Sequence, residues 1–375
     1  MNPVTNLPKR VLVIGMTENP GGIEALLLNV LNHSDPARIR FDFIANVPKV
    51  AFEERLLGHS CKVYHVTMRR ENRKKNQEEL EALFKEHSSE YDAVWENANS
   101  LANIDYLILA KKYGIPVRIM HGHNSTNSEG LIRGCFHNLN RRRIRKIATH
   151  FWSVSDEASP WLFGSDYYSL PNYRVINNTI DVDKFAFNDE ARLQIRSKYN
   201  IPEQAVLVGN VGRLHEQKNQ KLFISIIAEL NKGNRPVYGL ILGEGSLRNE
   251  IVSQACDLGI LDKLILPGVV SDSYRYYSAF DLFLFPSLYE GLGIALLEAQ
   301  ANGVPCLVSN GIPTKALLNL NTARCELDAP LNKWVRETER LLSIGRTEEL
   351  AIVGSPFDAR NSQAIFDGIL IDGAN

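Results

Sequence analysis

Val206-Leu207-Val208-Gly209-Asn210-Val211-Gly212-Arg213-Leu214 is an apolar run that stops at a glycine and opens into a basic loop. A run of this length, closed by a turn residue, reads as a strand buried on both faces of a parallel sheet. The next segment places Leu222, Phe223, Ile226, Ile227 and Leu230 on one helical face. Strands are predicted after it at 238–242, 264–266, 282–285 and 304–308. The significance of this stretch is that it is a restart. Upstream, the run 11–14 ends at Gly15, a loop passes through Asn19-Pro20-Gly21-Gly22, and 23–31 reads as a helix. Strands at 41–45, 93–95 and 117–120, with helices at 77–84 and 104–112, complete a first alternation. Strands alternating with helices specify a right-handed parallel α/β sheet.

Two such alternations in 375 residues predict an α/β protein of two doubly wound Rossmann-like domains facing across a cleft. Ligands of such sheets bind outside the carboxyl ends of the strands. The expected boundaries are 1–180 and 181–356. The polar stretch 171–187 is read as the interdomain connection, and a helical tail at about 357–375 is expected to pack back, on the first domain in our assignment.

Composition narrows the class. The chain is 44% hydrophobic and 23% charged with a formal net charge of -1, so no global basic excess points to nucleic acid. Cys61, Cys135, Cys256, Cys306 and Cys325 are far apart and form no CxxC pair, which argues against a zinc site and a disulfide framework. The apolar run behind Lys9-Arg10 is too short for a signal peptide, and no stretch approaches the ~20 apolar residues of a membrane span. The expected location is cytoplasmic, with a membrane touched only from its surface.

Chemistry concentrates in the second half. Glu290-Gly291-Leu292-Gly293-Ile294-Ala295-Leu296-Leu297-Glu298 follows a strand and opens a helix, and its glycines let backbone N–H groups approach an anion. Glu298, eight residues beyond Glu290, is placed about two turns further along that helix, where a carboxylate accepts hydrogen bonds from a diol. A capped amphipathic helix with two acids fits the same spacing equally well. Arg213 and Lys218 stand where the loop after 206–211 enters a helix, so both cations suit a phosphate. Gly243-Glu244-Gly245 and Gly268-Val269-Val270 also follow predicted strands, as openings for a base and ribose or as simple turns.

Taken together, these residues resemble the large retaining glycosyltransferase group with the two-domain GT-B fold, family 4. The resemblance covers Gly212-Arg213-Leu214 through Lys218, the Gly-Glu-Gly turn, Pro267-Gly268, and the run from Asp281 to Pro305 with its two glutamates eight residues apart. It implies that Arg213 and Lys218 hold the donor diphosphate and stabilise the leaving nucleoside diphosphate. It implies that Glu298 binds ribose hydroxyls, that Glu290 contacts the transferred sugar, and that the amides of Gly291, Leu292 and Gly293 meet sugar and phosphates. Gly243 and Val269 fall on the donor side, and Gly22 in the glycine-rich first loop is expected to close against donor phosphate.

His121, within His121-Gly122-His123-Asn124, resembles the family's active-site histidine, with His123 as the alternative. The resemblance implies a nucleotide-sugar co-substrate, UDP being favoured over GDP by family frequency, and no metal or other cofactor. Asp181-Val182-Asp183 mimics a metal-binding triplet but lies in the connection, and is read as structural. Two basic clusters, Arg69-Arg70 with Arg73, Lys74 and Lys75, and Arg141-Arg142-Arg143 with Arg145 and Lys146, are solvated faces or an attraction to anionic membrane. Phe136, Leu139, Ile144 and Ile147 make an amphipathic docking helix conceivable there. This suits a glycan or lipid-diphosphate-linked acceptor in bacterial exopolysaccharide or capsule assembly. A non-hydrolysing UDP-sugar epimerase and a non-catalytic partner subunit are the competing readings. The first would need acid/base residues that the Glu290–Glu298 signature does not suggest.

Overall fold

The structure is a computed structural model that describes residues 7–19, 21–123, 131–156 and 158–371. Pro20 and Asn124, both part of motifs quoted above, lie outside the described residues, as does the tail after Ile371. The chain divides into two compact units, one ending at Thr179 and resuming at Ala359, the other running from Ile180 to Asp358.

The first unit carries seven strands: β1 Lys9–Ile14, β2 Ile39–Ala45, β3 Val63–His65, β4 Ala93–Ala98, β5 Val117–Gly122, β6 His150–Ser153 and β7 Tyr173–Val175. All pairs are parallel and the order is β3-β2-β1-β4-β5-β6-β7. The run at 11–14 shows why a solid apolar segment is needed. Val11 and Val13 enter one core cluster while Leu12 and Ile14 enter another on the opposite face.

The second unit repeats the plan with β8 Val206–Val211, β9 Val237–Leu242, β10 Leu264–Gly268, β11 Leu282–Phe285, β12 Cys306–Ser309 and β13 Thr322–Cys325. Its order is β10-β9-β8-β11-β12-β13, again parallel throughout. Leu207 packs on one face while Val206 and Val208 pack on the other. Both sheets reverse direction beside their first strand, at β1/β4 and at β8/β11. The crevice outside that reversal is where an open α/β sheet binds ligands.

Four strands escape the sequence reading: β3, β6, β7 and β13. Each has only three or four residues and mixes polar with apolar side chains, so it lacks the solid apolar run that marks the equally short β11. The strand β7 corrects the expected connection at 171–187, because Tyr173–Val175 pairs with β6 and belongs to the first sheet. Within the same stretch, Asp181 does a structural job. Its carboxylate accepts from the Lys184 N–H at 3.0 Å and caps the short helix Val182–Phe185.

The tail returns to the first unit. Ser362–Phe366 is a short helix, and Phe366 meets the rings of Phe41, Trp95 and Trp152 at centroid distances of 5.5, 5.1 and 5.6 Å. Arg38 reinforces this contact through Asp367 at 3.0 Å. A parallel bridge between Ile180 and Asp358 sets the entry to the second unit beside its exit.

Candidate active site

In the second unit, the loops after β8 and β11 are neighbours because their strands are. The Leu288 N–H donates to the Gln217 carbonyl at 2.7 Å, Gln217 Nε2 to the Tyr289 carbonyl at 3.0 Å, and Asn219 Nδ2 to the Pro286 carbonyl at 3.2 Å. These bonds tie the basic loop to the glycine-rich one. Lys218 Nζ then reaches Glu290 Oε1 at 2.5 Å, both side chains largely buried, and lies 5.0 Å from the centre of the Phe285 ring. The two loops that sequence reasoning treated as separate constellations are therefore one bonded, charged unit.

Arg213 is exposed on the same loop, and its guanidinium pairs with no carboxylate among the described residues. Its carbonyl is held by Gln220 Nε2 at 2.9 Å. On the other loop, Gly293 takes a φ of +82° as it starts the helix Ile294–Ala301, a conformation glycine adopts without strain. The N–H groups of Gly291, Leu292 and Gly293 donate to no acceptor among the described residues. They are orphan donors at a helix start, the arrangement that attracts anions.

Glu298 is partly buried, and its Oε2 accepts from the Tyr277 hydroxyl at 2.6 Å. Burial pushes its carboxyl up from 4.5 to about 7, against the lowering effects of the Tyr277 bond and of Lys184. Tyr277 is itself fully buried, and burial together with the neighbouring carboxylate raises its phenol well above the usual range. It therefore stays a neutral donor. Nothing in the sequence pointed to Tyr277, since it carries no motif and its partner lies 21 residues away.

Gly243 ends β9 at a φ of +134°, and a Cβ there would sit 2.1 Å from the Gly212 carbonyl oxygen. Glycine is thus required where the loops after β8 and β9 pass. Val269 follows β10 and is 79% exposed.

In the first unit, Gly22 begins the helix Gly22–Asn32. The loop before it is braced by Glu24, whose Oε1 accepts from the Thr17 N–H at 2.8 Å and the Thr17 hydroxyl at 2.9 Å. His121 and His123 lie two residues apart at the end of β5 and so share a face, with ring centres 4.2 Å apart. His121 is fully buried and stacked on Trp95, whose Nε1–H donates to His121 Nδ1 at 3.3 Å. That bond assigns the His121 proton to Nε2. Burial and the neighbouring His123 hold His121 well below its ordinary range, so it is neutral at pH 7. His123 is only half-buried, and its Nε2 bonds Asn97 Oδ1 at 2.9 Å. Of the two, His123 is the one with surface to offer a ligand.

The basic clusters divide. On the helix Leu131–Ile144, Arg142 and Arg143 are exposed and Arg141 is half-exposed, while Arg145 is bound to Asp166. The expected docking face is corrected here: Ile144 and Ile147 are core residues at 0% and 9% exposure, leaving Phe136 and Leu139 as the exposed apolar side chains. In the other cluster, Arg69 is bonded to Asn103 and to Asp105, and Lys74 and Lys75 pair with Glu78 and Glu79. No helix among the described residues is long and apolar enough to cross a membrane.

Residues 191–321, which hold the Arg213, Lys218, Glu290 and Glu298 set, match the family described as "Glycosyl transferases group 1". The chain is 29% identical over 345 residues to EpsF of Bacillus subtilis (strain 168), named as a glycosyltransferase, covering 90% of this chain and 89% of that one. A stretch of 140 residues is 34% identical to the Escherichia coli UDP-Gal:alpha-D-GlcNAc-diphosphoundecaprenol alpha-1,3-galactosyltransferase, covering 36% of each chain. The fold is shared with Anabaena Alr3699/HepE in complex with UDP-glucose, at a TM-score of 0.73 and 17% identity over 97% of this chain and 99% of that one. The architecture is GT-B.

Proposed function

We propose that this chain, a glycosyltransferase by its group 1 domain, transfers a sugar from a UDP-sugar held by the second unit, with retention of configuration. The acceptor in this reading is a glycan or lipid-diphosphate-linked sugar in polysaccharide assembly, met by the first unit at the cytoplasmic face of a membrane. The observation that carries the donor assignment is the joined pair of loops at the β8/β11 reversal. Lys218 and three orphan amides lie on those two tied loops, with Arg213 on the same loop as Lys218, and in this reading they meet the diphosphate.

The chemistry follows from charge. Breaking the bond between sugar and diphosphate puts negative charge on the departing phosphate, and preorganised cations and amides favour that transition state. Arg213 and Lys218 supply the positive charge in this reading, so no metal is invoked. Glu290 Oε1 holds the Lys218 ammonium in place, leaving the second carboxylate oxygen for a sugar hydroxyl. The departing phosphate then takes the proton of the attacking hydroxyl on the same face, the arrangement that retains configuration. HepE bound to UDP-glucose supports UDP as the nucleotide, and the Escherichia coli relative supports a lipid-diphosphate acceptor. His123, the accessible member of the histidine pair, is assigned to the reacting substrates, and His121 to support behind it. Peripheral membrane contact is assigned to Phe136 and Leu139 with Arg142 and Arg143.

Two results test this reading. UDP at about 100 times its Kd should add about 2.7 kcal/mol to the stability of the unit that binds it, a rise in melting temperature of about 5–10 °C. No rise with UDP or any other nucleoside diphosphate overturns the donor assignment. In slow acceptor-free hydrolysis of UDP-α-glucose, proton NMR should show α-glucose released first; β-glucose first means inversion.

Glu298 adds a pH signature. Ribose hydroxyls donate to the ionised carboxylate, so UDP affinity should climb as pH rises through about 7. The sign for folding is opposite. The native carboxyl holds its proton more tightly than the unfolded one, so its contribution to stability is lost as pH rises from about 4.5 through about 7. Comparing Glu298→Gln with the wild type isolates this from the titration of UDP itself. A calorimetric pH series that is identical for both proteins excludes the carboxylate from ribose binding.

A further inference from the structure

The basic cluster that begins at Arg69 does not simply face solvent. It borders a cavity of about 830 Å³ built at the carboxyl ends of β3, β2, β1 and β4, four consecutive strands of the sheet. The cavity therefore occupies the reversal beside β1, the same topological position that the donor loops occupy in the second unit. Four guanidinium groups line it, from Arg69, Arg70, Arg73 and Arg133. Arg69 is committed to Asp105 and Asn103. Arg70 and Arg73 are exposed and pair with no carboxylate among the described residues.

Against these charges the wall offers two acids, Glu18 and Glu96. Glu96 is 3% exposed, and its Oε2 has no hydrogen-bond partner among the described residues. A buried polar atom without a partner costs free energy and marks a place where a ligand completes the structure. Burial, with Asp105 nearby, raises the Glu96 carboxyl to about 8, while the Leu107 N–H draws it down. At pH 7 it is mostly protonated and can donate a hydrogen bond. The four arginines outnumber the two acids of the wall, so the cavity is positive. Asn99 and Asn103 add amide groups suited to hydroxyls, and Phe136 adds an aromatic surface at the rim.

Resting on the glycosyltransferase reading above, we propose that this cavity binds a glycosyl phosphate or diphosphate as the acceptor. Arg70 and Arg73 hold its phosphate, and the Glu96 carboxyl hydrogen-bonds a sugar hydroxyl. The arrangement selects an acceptor already carrying phosphate over a neutral glycan. Guanidinium forks suit phosphate oxygens in pairs, whereas an uncharged glycan gains nothing from them. By the same chemistry, the reaction before this one must leave a phosphate on the sugar that is extended.

The test uses the full chain with UDP bound, so that the donor site does not take up the probe. Glucose 1-phosphate is titrated calorimetrically into the wild type and into Arg70→Ala/Arg73→Ala, with methyl glucoside as the uncharged control. The expected result is binding at least tenfold tighter for glucose 1-phosphate than for methyl glucoside, reduced at least tenfold in the double variant. Both arginines are exposed, so the melting temperature and UDP affinity should not change. Glu96→Leu should weaken both sugars, and Glu96→Gln should weaken them less.

Equal affinity of wild type and double variant for glucose 1-phosphate overturns the proposal. So does a double variant that loses only its binding to phosphatidylglycerol vesicles, which would make the arginines a membrane contact. Failure of UDP to bind the wild type is a separate outcome. It sinks the donor assignment, while the glucose 1-phosphate titration, run without UDP, still decides the cavity.

Discussion

Lys218→Ala should lower kcat/KM for transfer by about 10²–10³, with a melting temperature within a few degrees of the wild type. The first figure follows from removing one preorganised charge that meets negative charge developing in the transition state, about 3–4 kcal/mol. The second follows from position. Lys218 holds Glu290 at 2.5 Å in a largely buried pair. Losing it leaves one carboxylate without its cation, a cost spread over a unit of about 180 residues in which 1 kcal/mol moves the midpoint by about 2–4 °C. A structural role alone would show the reverse ranking, a large loss of melting temperature and a small loss of turnover. Lys218→Arg should recover part of the rate, since charge is kept while the bond geometry to Glu290 changes. Glu290→Gln should lose rate as well, and the double variant should lose less than the sum, because the two side chains act as one unit. Steady-state kinetics with UDP release as the readout, beside a thermal melt of each variant, measures all of this.

The second large effect is on folding and lies in the first unit. Phe366→Ala should destabilise the first unit by about 3–5 kcal/mol, the range for removing a fully buried aromatic side chain. Phe366 packs edge-on against Phe41, Trp95 and Trp152 at once, so its removal leaves a cavity bounded by three large rings that cannot all close in. Trp95 is also the residue that stacks on and donates to His121. The same substitution should therefore loosen the histidine pair and reduce turnover beyond the loss expected from unfolding alone. Differential scanning calorimetry checks the stability term, and deletion of the chain after Asp358 should reproduce or exceed it. Were Phe366→Ala as stable as the wild type, the returning tail would be an ornament of the first unit and not part of its core.

The sequence carried the architecture wherever a strand was long enough to show itself. The runs at 11–14 and 206–211 are buried on both faces, and such strands need apolar side chains at every position. Strands of three or four residues at β3, β6, β7 and β13 have no such signature, since their neighbours determine them. The residues proposed to hold the donor stood out in the sequence for a local reason. Glycine-rich turns and the charges beside them sit within a few positions of a strand end, so spacing alone brings Gly291, Leu292, Gly293 and Glu290 together. What spacing does not show is that Glu290 meets Lys218 across 72 residues, or that Tyr277 braces Glu298. The histidines show the limit from the other side. His121 and His123 were equivalent as letters, and they separate only once strand β5 places one among the tryptophans and leaves the other half-open. Arg70 and Arg73 read as part of a charged surface run, because a cavity is formed by four loops and no one of them announces it.

The central claim is that Arg213 and Lys218, beside the amides of Gly291 to Gly293, hold a nucleoside diphosphate without help from a metal. Isothermal titration of UDP in the presence of EDTA, into the wild type and into Arg213→Ala/Lys218→Ala, tests it most directly. The account predicts saturable binding to the wild type and at least a hundredfold loss in the double variant. Binding that vanishes with EDTA, or that is the same in both proteins, contradicts it.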